Sequence, residues 1–504
     1  MNVCASSVAA LNVLHIIPRF VGGGPERSLL AFAAAERITG QVNRHVVAVL
    51  EPPVATHMFL AARRLGVELA IRPEQATLAR LIENADLVEV HFWNHPALAN
   101  LLRTLTFPPA RVLVWSRVLG TRAPQVLTEE IAGFADRLVL TSELSHESAG
   151  ARAAGERGVP VDCIPGIADM GRLDGFTPRQ HAGICIGYIG VVNDTKMHPR
   201  FAEMSAAVRV PDARFVVCGG GGGELELRRR FEALGIGARV DIRGPVENIR
   251  AELEEFDIFG YPLTEETYGT SEKALQEAMW VGVAPVVFGH GGVRCLVEHD
   301  RTGLVVATEE GYARAIERLA NDPVLRRRLG TEARRFARAA FDPARWSRAA
   351  GQVLLELMAE PRRSRPSLPG AGDGAAANFV RSLGDQAGPF SVSFAGLSKY
   401  SVERVAAADR EIAAVSPLLA RGEGGIAHHR NVFPYDPHLR LWAGLVSASA
   451  GARTIAAAEL AAAEALGLGG RRAVLHDSLF HSVTDQGSNP DCRLVCLNDG
   501  GTTS

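Results

Sequence analysis

Along the first 180 residues, continuous apolar runs alternate with amphipathic stretches. "LNVLHII" (11–17), "RHVVAVL" (44–50), "LVEVHFW" (87–93), "RVLVWS" (111–116) and "RLVLTS" (137–142) are rich in β-formers, with helical patterns between several of them. Unbroken rather than alternating hydrophobicity marks strands buried on both faces, and so a parallel sheet covered by helices. The pattern restarts with "GICIGYIG" (183–190), "RFVVCGG" (214–220), "RVDIRG" (239–244), "FDIFGYP" (256–262), "APVVFG" (284–289) and "GLVV" (303–306). Two successive α/β halves predict two doubly wound, Rossmann-like domains facing a cleft, with ligands at the carboxyl ends of the strands. Glycines gather there: Gly22 to Gly24 after the first strand, and Gly219 to Gly223 after "RFVVC". Either run could be a structural turn or a place of close backbone approach to a ligand.

The pattern changes after residue 360. "EPRRSRPSLPGAGDGAAA" (360–377) has the Pro, Gly and Ser content of a flexible linker. "RLWAGLVSASAGARTIAAAELAAAEALGLG" (440–469) predicts an Ala-rich helical hairpin with the spacing of one tetratricopeptide-like repeat. The expected organisation is an N-terminal domain at 1–178 and a second domain with a closing helix at 179–360. A linker at 361–377, a helical appendage at 378–472 and a disordered tail at 473–504 follow. On this division, truncation after residue 376 leaves the second domain's binding intact.

Composition narrows the class without naming a chemistry. The 504 residues are 47% hydrophobic and 22% charged, with a net charge of -2, which gives no global attraction to nucleic acid or membrane. Basic runs such as Arg326-Arg327-Arg328 lie in helical patterns and read as solvated faces. Seven cysteines show neither metal-knuckle spacing nor a disulfide framework. With no signal-peptide pattern and no long apolar span, the expected location is the cytoplasm, with the inner face of a membrane as a further setting.

Candidate chemistry centres on "YGTSEKALQEAMWVG" (268–282), a hydroxyl-rich turn entering a short helix. Ser271 reads as its N-cap. Leu275, Ala278 and Met279 define the buried stripe, which puts Glu277 about 160° from Leu275. By periodicity alone Glu277 is a solvated residue pairing with Lys273. The longer passage "LQEAMWVGVAPVVFGHGGVRCLVEHDRTGLVV" (275–306) resembles the signature of the GT-B glycosyltransferases, family four. Glu277-Ala278-Met279, Gly282, Pro285-Val286-Val287, Gly291-Gly292 and Thr302-Gly303-Leu304 stand at the matching places, and the resemblance covers roughly residues 11 to 350.

The resemblance implies a GT-B fold and a retaining, nucleotide-sugar-dependent transferase. Glu277 would accept hydrogen bonds from the ribose, and Gly269, Thr270 and Ser271 would present amides and hydroxyls to the donor. No metal or other cofactor is expected, since the chain has no Asp-x-Asp pair and basic groups can neutralise the diphosphate. Lys196 matches the family's phosphate-binding lysine, while Val191 stands where its arginine would be. The family's first glutamate, eight places before Glu277, is replaced by Gly269. Glu266 recovers it through a three-residue insertion, and Glu272 is the rival, about 140° around the helix from Glu277. Where the family places a histidine near the reacting sugar, this chain has Arg117, which leaves His91 as the candidate, with His95 behind it. The expected site is therefore His91, Lys196 and Glu266 for catalysis. Gly23, Gly24, Lys196, Gly269, Thr270, Ser271, Glu272 and Glu277 are expected to bind the donor.

The expected activity is metal-independent glycosyl transfer from a nucleotide-sugar to a glycan, lipid-linked or small-molecule acceptor, as in polysaccharide biosynthesis. The rivals are a nucleotide-sugar epimerase or hydrolase, and a non-catalytic GT-B scaffold that binds a protein partner through its C-terminal helices. Nucleic acid is not an expected partner.

Overall fold

The computed structural model describes residues 10–40 and 42–468, which form two compact units, 10–387 with 416–432 and 388–415 with 433–468. The tail expected at 473–504 lies outside the described residues.

In the first unit the apolar runs become two parallel sheets. Seven strands form the first: β1 (Asn12–Ile17), β2 (Arg44–Val49), β3 (Glu68–Ile71), β4 (Leu87–Phe92), β5 (Val112–Ser116), β6 (Arg137–Leu140) and β7 (Val161–Cys163). Their order is β7-β6-β5-β4-β1-β2-β3, so the winding reverses between β1 and β4. The second sheet holds β8 (Ile184–Ile189), β9 (Ala213–Cys218), β10 (Val240–Gly244), β11 (Ile258–Tyr261), β12 (Ala284–Phe288) and β13 (Leu304–Val306). Its order, β10-β9-β8-β11-β12-β13, reverses between β8 and β11. This is the α/β, doubly wound GT-B arrangement expected above, with a helical region after it. Strands β3 and β7 escape the apolar-run reading because they are short sheet edges, with no fully buried residue in either.

Helix α1 (Gly24–Thr39) covers one face of the first sheet, and α2 (Lys273–Val281) runs into β12 through a left-handed Gly282. Helix α3 (Pro343–Met358), late in the chain, returns to the first sheet and packs against α1. Its Trp346 stacks on Trp115 of β5 at 5.9 Å and meets Phe32 of α1 edge-on at 5.3 Å. The Trp346 indole N–H also donates to the Pro165 carbonyl in the segment joining the two sheets. A buried aromatic with its one polar atom satisfied is a strong clasp between elements distant in sequence.

The segment read as a flexible linker carries structure. Arg363–Arg365 pairs antiparallel with Phe107–Ala110, Arg365 forms an ion pair with Asp136, and the Leu368 amide donates to the Leu102 carbonyl at 2.8 Å. Its Arg content, a solubilising feature in an isolated linker, finds a carboxylate and free carbonyls at the edge of the first unit. Residues 416–432 also belong to this unit: helix Ile426–Val432 packs on helix Pro96–Thr104, and His429 meets Phe379 edge-on at 4.8 Å.

In the second unit, helices Pro437–Ser449 and Arg453–Ala463 form the expected hairpin, and Gly444 lets Leu460 approach closely. The hairpin's apolar face is covered by helix Val402–Ala413, and Trp442, wholly buried, meets Phe390 edge-on at 5.1 Å. A lone repeat is thus stabilised by neighbouring helices rather than by further repeats. No helix among the described residues is long and apolar enough to cross a membrane.

Because residues 416–432 are part of the first unit, truncation after residue 376 or 387 removes a piece of it. A chain ending at Ala387 is expected to melt at least about 5 °C below the full chain, read by circular dichroism. An unchanged transition would show that the returning segment contributes nothing to the first unit.

Candidate functional site

Both sheet reversals open onto one cleft of about 560 Å³. From the first domain come the 22–24 loop, the first turn of α1, Trp93 and Arg117; from the second come Gly190, Lys196, Gly219 and the turn 267–272 leading into α2. Neither α1 nor α2 has a side-chain N-cap, and the positive ends of both helices face the cleft, that of α1 with the Glu26 carboxylate in its first turn.

The expectation that Glu277 is solvated is overturned. It is 4% exposed, because α2 is covered on both sides. Leu275, Ala278 and Met279 face the core, while the joining segment 166–173 runs along the opposite face. Gln276 fastens that segment, donating to the Gly166 carbonyl at 2.8 Å and accepting from the Ala168 amide at 3.2 Å. The segment then places Arg172 Nε 3.4 Å from Glu277. Burial raises the Glu277 carboxyl above its usual range, against the opposing pull of Arg172, Arg27 and Lys273. Lys273, crowded by the protein and by Arg117, is lowered to about 7.

Ser271 is not the helix cap: its Oγ accepts from the Gly166 amide at 2.9 Å, tying the turn to the joining segment. Thr270 Oγ1 accepts from Thr141 of the first domain at 2.9 Å. The cap position belongs to Glu272, whose backbone takes a positive φ of 24°. For a residue with a side chain that conformation costs about 1–3 kcal/mol, and the geometry it secures explains why it is kept. The Glu272 side chain turns inward, where Oε2 accepts from Tyr261 at 2.6 Å and pairs with Lys196 at 3.0 Å. Its Oε1 is buried without a partner. A Cβ on residue 269 would lie 1.8 Å from that oxygen, so Gly269 is required for the Glu272 carboxylate to sit where it does. The Glu272 carboxylate thus occupies the space beside Gly269 that a side chain on residue 269 would fill. Glu266 stands in the turn before Thr267, half-buried, and does not line the cleft.

His91 does not line the cleft either. It is wholly buried behind Arg117, whose guanidinium donates to His91 Nδ1 at 2.8 Å and to Glu89 at 2.9 Å. A chain of rings continues away from the cleft: His91 Nε2 to His15 Nδ1 at 3.0 Å, His15 Nε2 to His45 Nδ1 at 2.9 Å, and His45 Nε2 to Glu36 at 2.8 Å. An arginine donor at one end and a carboxylate at the other fit one direction along the chain, each ring donating through Nε2. Burial keeps His15 and His91 far below the usual histidine range. His91 therefore acts on Arg117, and Arg117 is the residue that reaches the cleft. No sequence pattern marks this chain, since its members come from three strands and a helix. His95, also wholly buried, caps helix Pro96–Thr104 by accepting from the Ala97 amide at 3.2 Å.

Four buried histidines (His15, His91, His95 and His429) and the half-buried His428 are lowered, mainly by desolvation. Unfolding frees them to bind protons below pH 6.5. Glu26 and Glu89, both raised to about 7 by burial, act in the opposite sense because the folded state holds their protons. Between pH 6.5 and 4.5 the unfolded chain gains about three more protons from these groups, so stability falls on acidification. Denaturant titrations across that range are expected to show it; stability that is flat or rises towards pH 4.5 would contradict the buried neutral rings.

Comparison with known proteins places this geometry. Residues 176–336 match the family model for glycosyl transferases group 1. No curated protein sequence matches the chain. Among solved structures, HepE from Anabaena in complex with UDP and glucose is 15% identical, with a TM-score of 0.57, covering 69% of this chain and 100% of its own. A glycosyltransferase from Rickettsia africae is 13% identical (TM-score 0.58; 70% and 99% covered). Sucrose-phosphate synthase from Thermosynechococcus elongatus is 17% identical (TM-score 0.52; 69% and 99% covered). At these identities the likeness is one of fold. Residues 176–336, which hold the whole second sheet, thus match the group 1 glycosyl transferase model, and the chain shares the GT-B fold of these solved structures.

Proposed function

We propose that the cleft transfers a sugar from a nucleotide-sugar donor to an acceptor hydroxyl, with retention of configuration and without a metal. The observation that carries this reading is the convergence of two uncapped helix N-termini, Lys196, Lys273, Arg27 and the buried carboxylate of Glu277 on one cleft. Amides and cations suit a diphosphate, and a fixed carboxylate suits the two hydroxyls of a ribose. Such a cationic wall can stabilise the departing diphosphate as a metal would elsewhere. HepE was solved with UDP and with UDP-glucose, which favours a uridine donor as the first to be tried.

In this reading Glu277 holds the ribose, the 269–271 turn and the α2 amides face the phosphates, and Lys196 clamps them. Glu272, in the space left by Gly269, contacts the donor sugar in place of Glu266. Gly23 and Gly24 admit the donor close to the backbone of α1. Transfer follows a same-face course: the bond from the anomeric carbon to the diphosphate breaks as the acceptor oxygen bonds to that carbon. The acceptor proton passes to the departing phosphate. The protein's part is positioning and electrostatic stabilisation, with no covalent intermediate on a side chain.

Titrating UDP, GDP and ADP into wild type and Glu277→Ala by calorimetry tests this directly. One nucleotide is expected to bind, with at least a tenfold loss in the variant; no binding to well-folded wild type would refute the donor site. Lys273 gives a second signature. With its pKa lowered to about 7, a bound diphosphate would raise it and draw in a proton. Between pH 7 and 8.5, nucleotide binding is therefore expected to take up protons and to weaken as pH rises. Calorimetry in buffers of different ionisation enthalpy reads this, and Lys273→Met is expected to abolish most of the uptake.

A further inference from the structure

The chain leaves the first unit after Ala387 and returns to it at Ser416–Val432, and the turn of that returning segment enters the wall of the cleft. Arg19 and the Trp93 indole N–H both donate to Glu423 Oε1, at 2.6 and 2.8 Å, while Gln125 donates to the Glu423 carbonyl at 2.6 Å. Gly424 has a φ of 77°, and a Cβ there would lie 2.1 Å from the Asn94 carbonyl, so the turn lies flush against residues 93–95. Backbone and side chain of Glu423 are thereby fixed, and its Oε2 has no hydrogen-bond partner among the described residues. On the same wall Glu26, in the first turn of α1, is 2% exposed, and its Oε2 is buried without a partner. That oxygen lies 2.7 Å from where a Cβ on Gly23 would stand, over the glycine loop that borders the cleft.

We infer that Glu423 and Glu26 form an acceptor subsite that takes hydroxyl groups of a neutral carbohydrate, with Trp93 and Tyr268 in the same wall. Free carboxylate oxygens accept from hydroxyl donors, whereas a phosphate, sulfate or uronate at this end would face two carboxyls, with the nearby Arg19 already paired to Glu423 Oε1. Burial, with a smaller contribution from the charge of Glu423, raises the Glu26 carboxyl to about 7. The adjacent Glu51, His95 and His428 do not offer a metal site in this arrangement. The Nδ1 atoms of both rings accept from backbone amides, of Ala97 and Gly424, so their protons sit on Nε2. The inference rests on the donor reading above and supplies what that reading leaves open, the chemical class of the acceptor.

The test uses the full chain with UDP-, GDP- and ADP-glucose as donors. Methyl glucoside, galactoside and mannoside are offered as acceptors beside their 6-carboxylate and 6-phosphate counterparts. Wild type is expected to glycosylate at least one neutral glycoside and its charged counterparts less than a tenth as fast. Glu423→Gln, which keeps the shape of the turn, is expected to raise the acceptor KM at least tenfold while nucleotide affinity stays within twofold; Glu26→Gln should shift the same parameter. Charged acceptors used as well as neutral ones would overturn the subsite, as would an acceptor KM unmoved in both variants. Nucleotide binding with no neutral glycoside accepted would overturn it while leaving the donor site standing. Failure of every nucleotide to bind would remove both.

Discussion

Cationic side chains crowded around one cleft repel each other, and pairing them with carboxylates is the constraint on which the site rests. Arg172 faces Glu277, Lys196 faces Glu272, Arg117 faces Glu89 and Arg19 faces Glu423. Each pair joins elements distant in sequence: the joining segment to α2, β8's loop to the turn before α2, β5's end to β4, and β1's loop to the returning segment. The pairs therefore hold the cleft walls in register as well as balancing charge. Two cations of the wall, Arg27 and Lys273, have no such ion pair among the described residues, and desolvation lowers the pKa of each. In a site proposed for a diphosphate, these are the positions where added negative charge would be most favourable.

The buried histidine chain shows how the fold tolerates an arginine at the mouth of a parallel sheet. A guanidinium 5% exposed is costly to desolvate unless its donors are satisfied. Glu89 and His91 satisfy its Nε and Nη2 donors from behind, leaving Nη1 without a partner among the described residues, and His15, His45 and Glu36 complete the chain so that each ring nitrogen inside the sheet has a partner. The side chains at His15 and His91 are thereby committed to positioning Arg117. This accounts for a histidine that ends a strand in the sequence yet stays away from the cleft.

The segment 416–432 changes the meaning of the helical region. A tail that reads as an appendage supplies a residue of the cleft wall, and a stretch that reads as a linker pairs with Phe107–Ala110 in a small two-stranded sheet. Composition reports solvation averaged over a stretch, so it cannot register that Arg365 meets Asp136 or that Gly424 fits against Asn94. These are encounters between surfaces made by other parts of the chain.

The sequence by itself determined the two sheets and the place of the cleft. Strands buried on both faces must be apolar along their whole length, and a doubly wound order must put its binding crevice at strand ends. Those demands are local, so β1, β4, β8, β11 and β12 were legible while the half-exposed edges β3 and β7 were not. The motif around Glu277 was legible too, although helical periodicity alone set it in solvent. Only the tertiary structure decided which charged groups face the cleft. It buried Glu277 under the joining segment, turned Glu272 inward over Gly269, withdrew His91 behind Arg117 and brought Glu423 across from a distant turn. Burial and charge pairing depend on what covers a residue, and the covering elements lie tens to hundreds of residues away, beyond the reach of any periodicity.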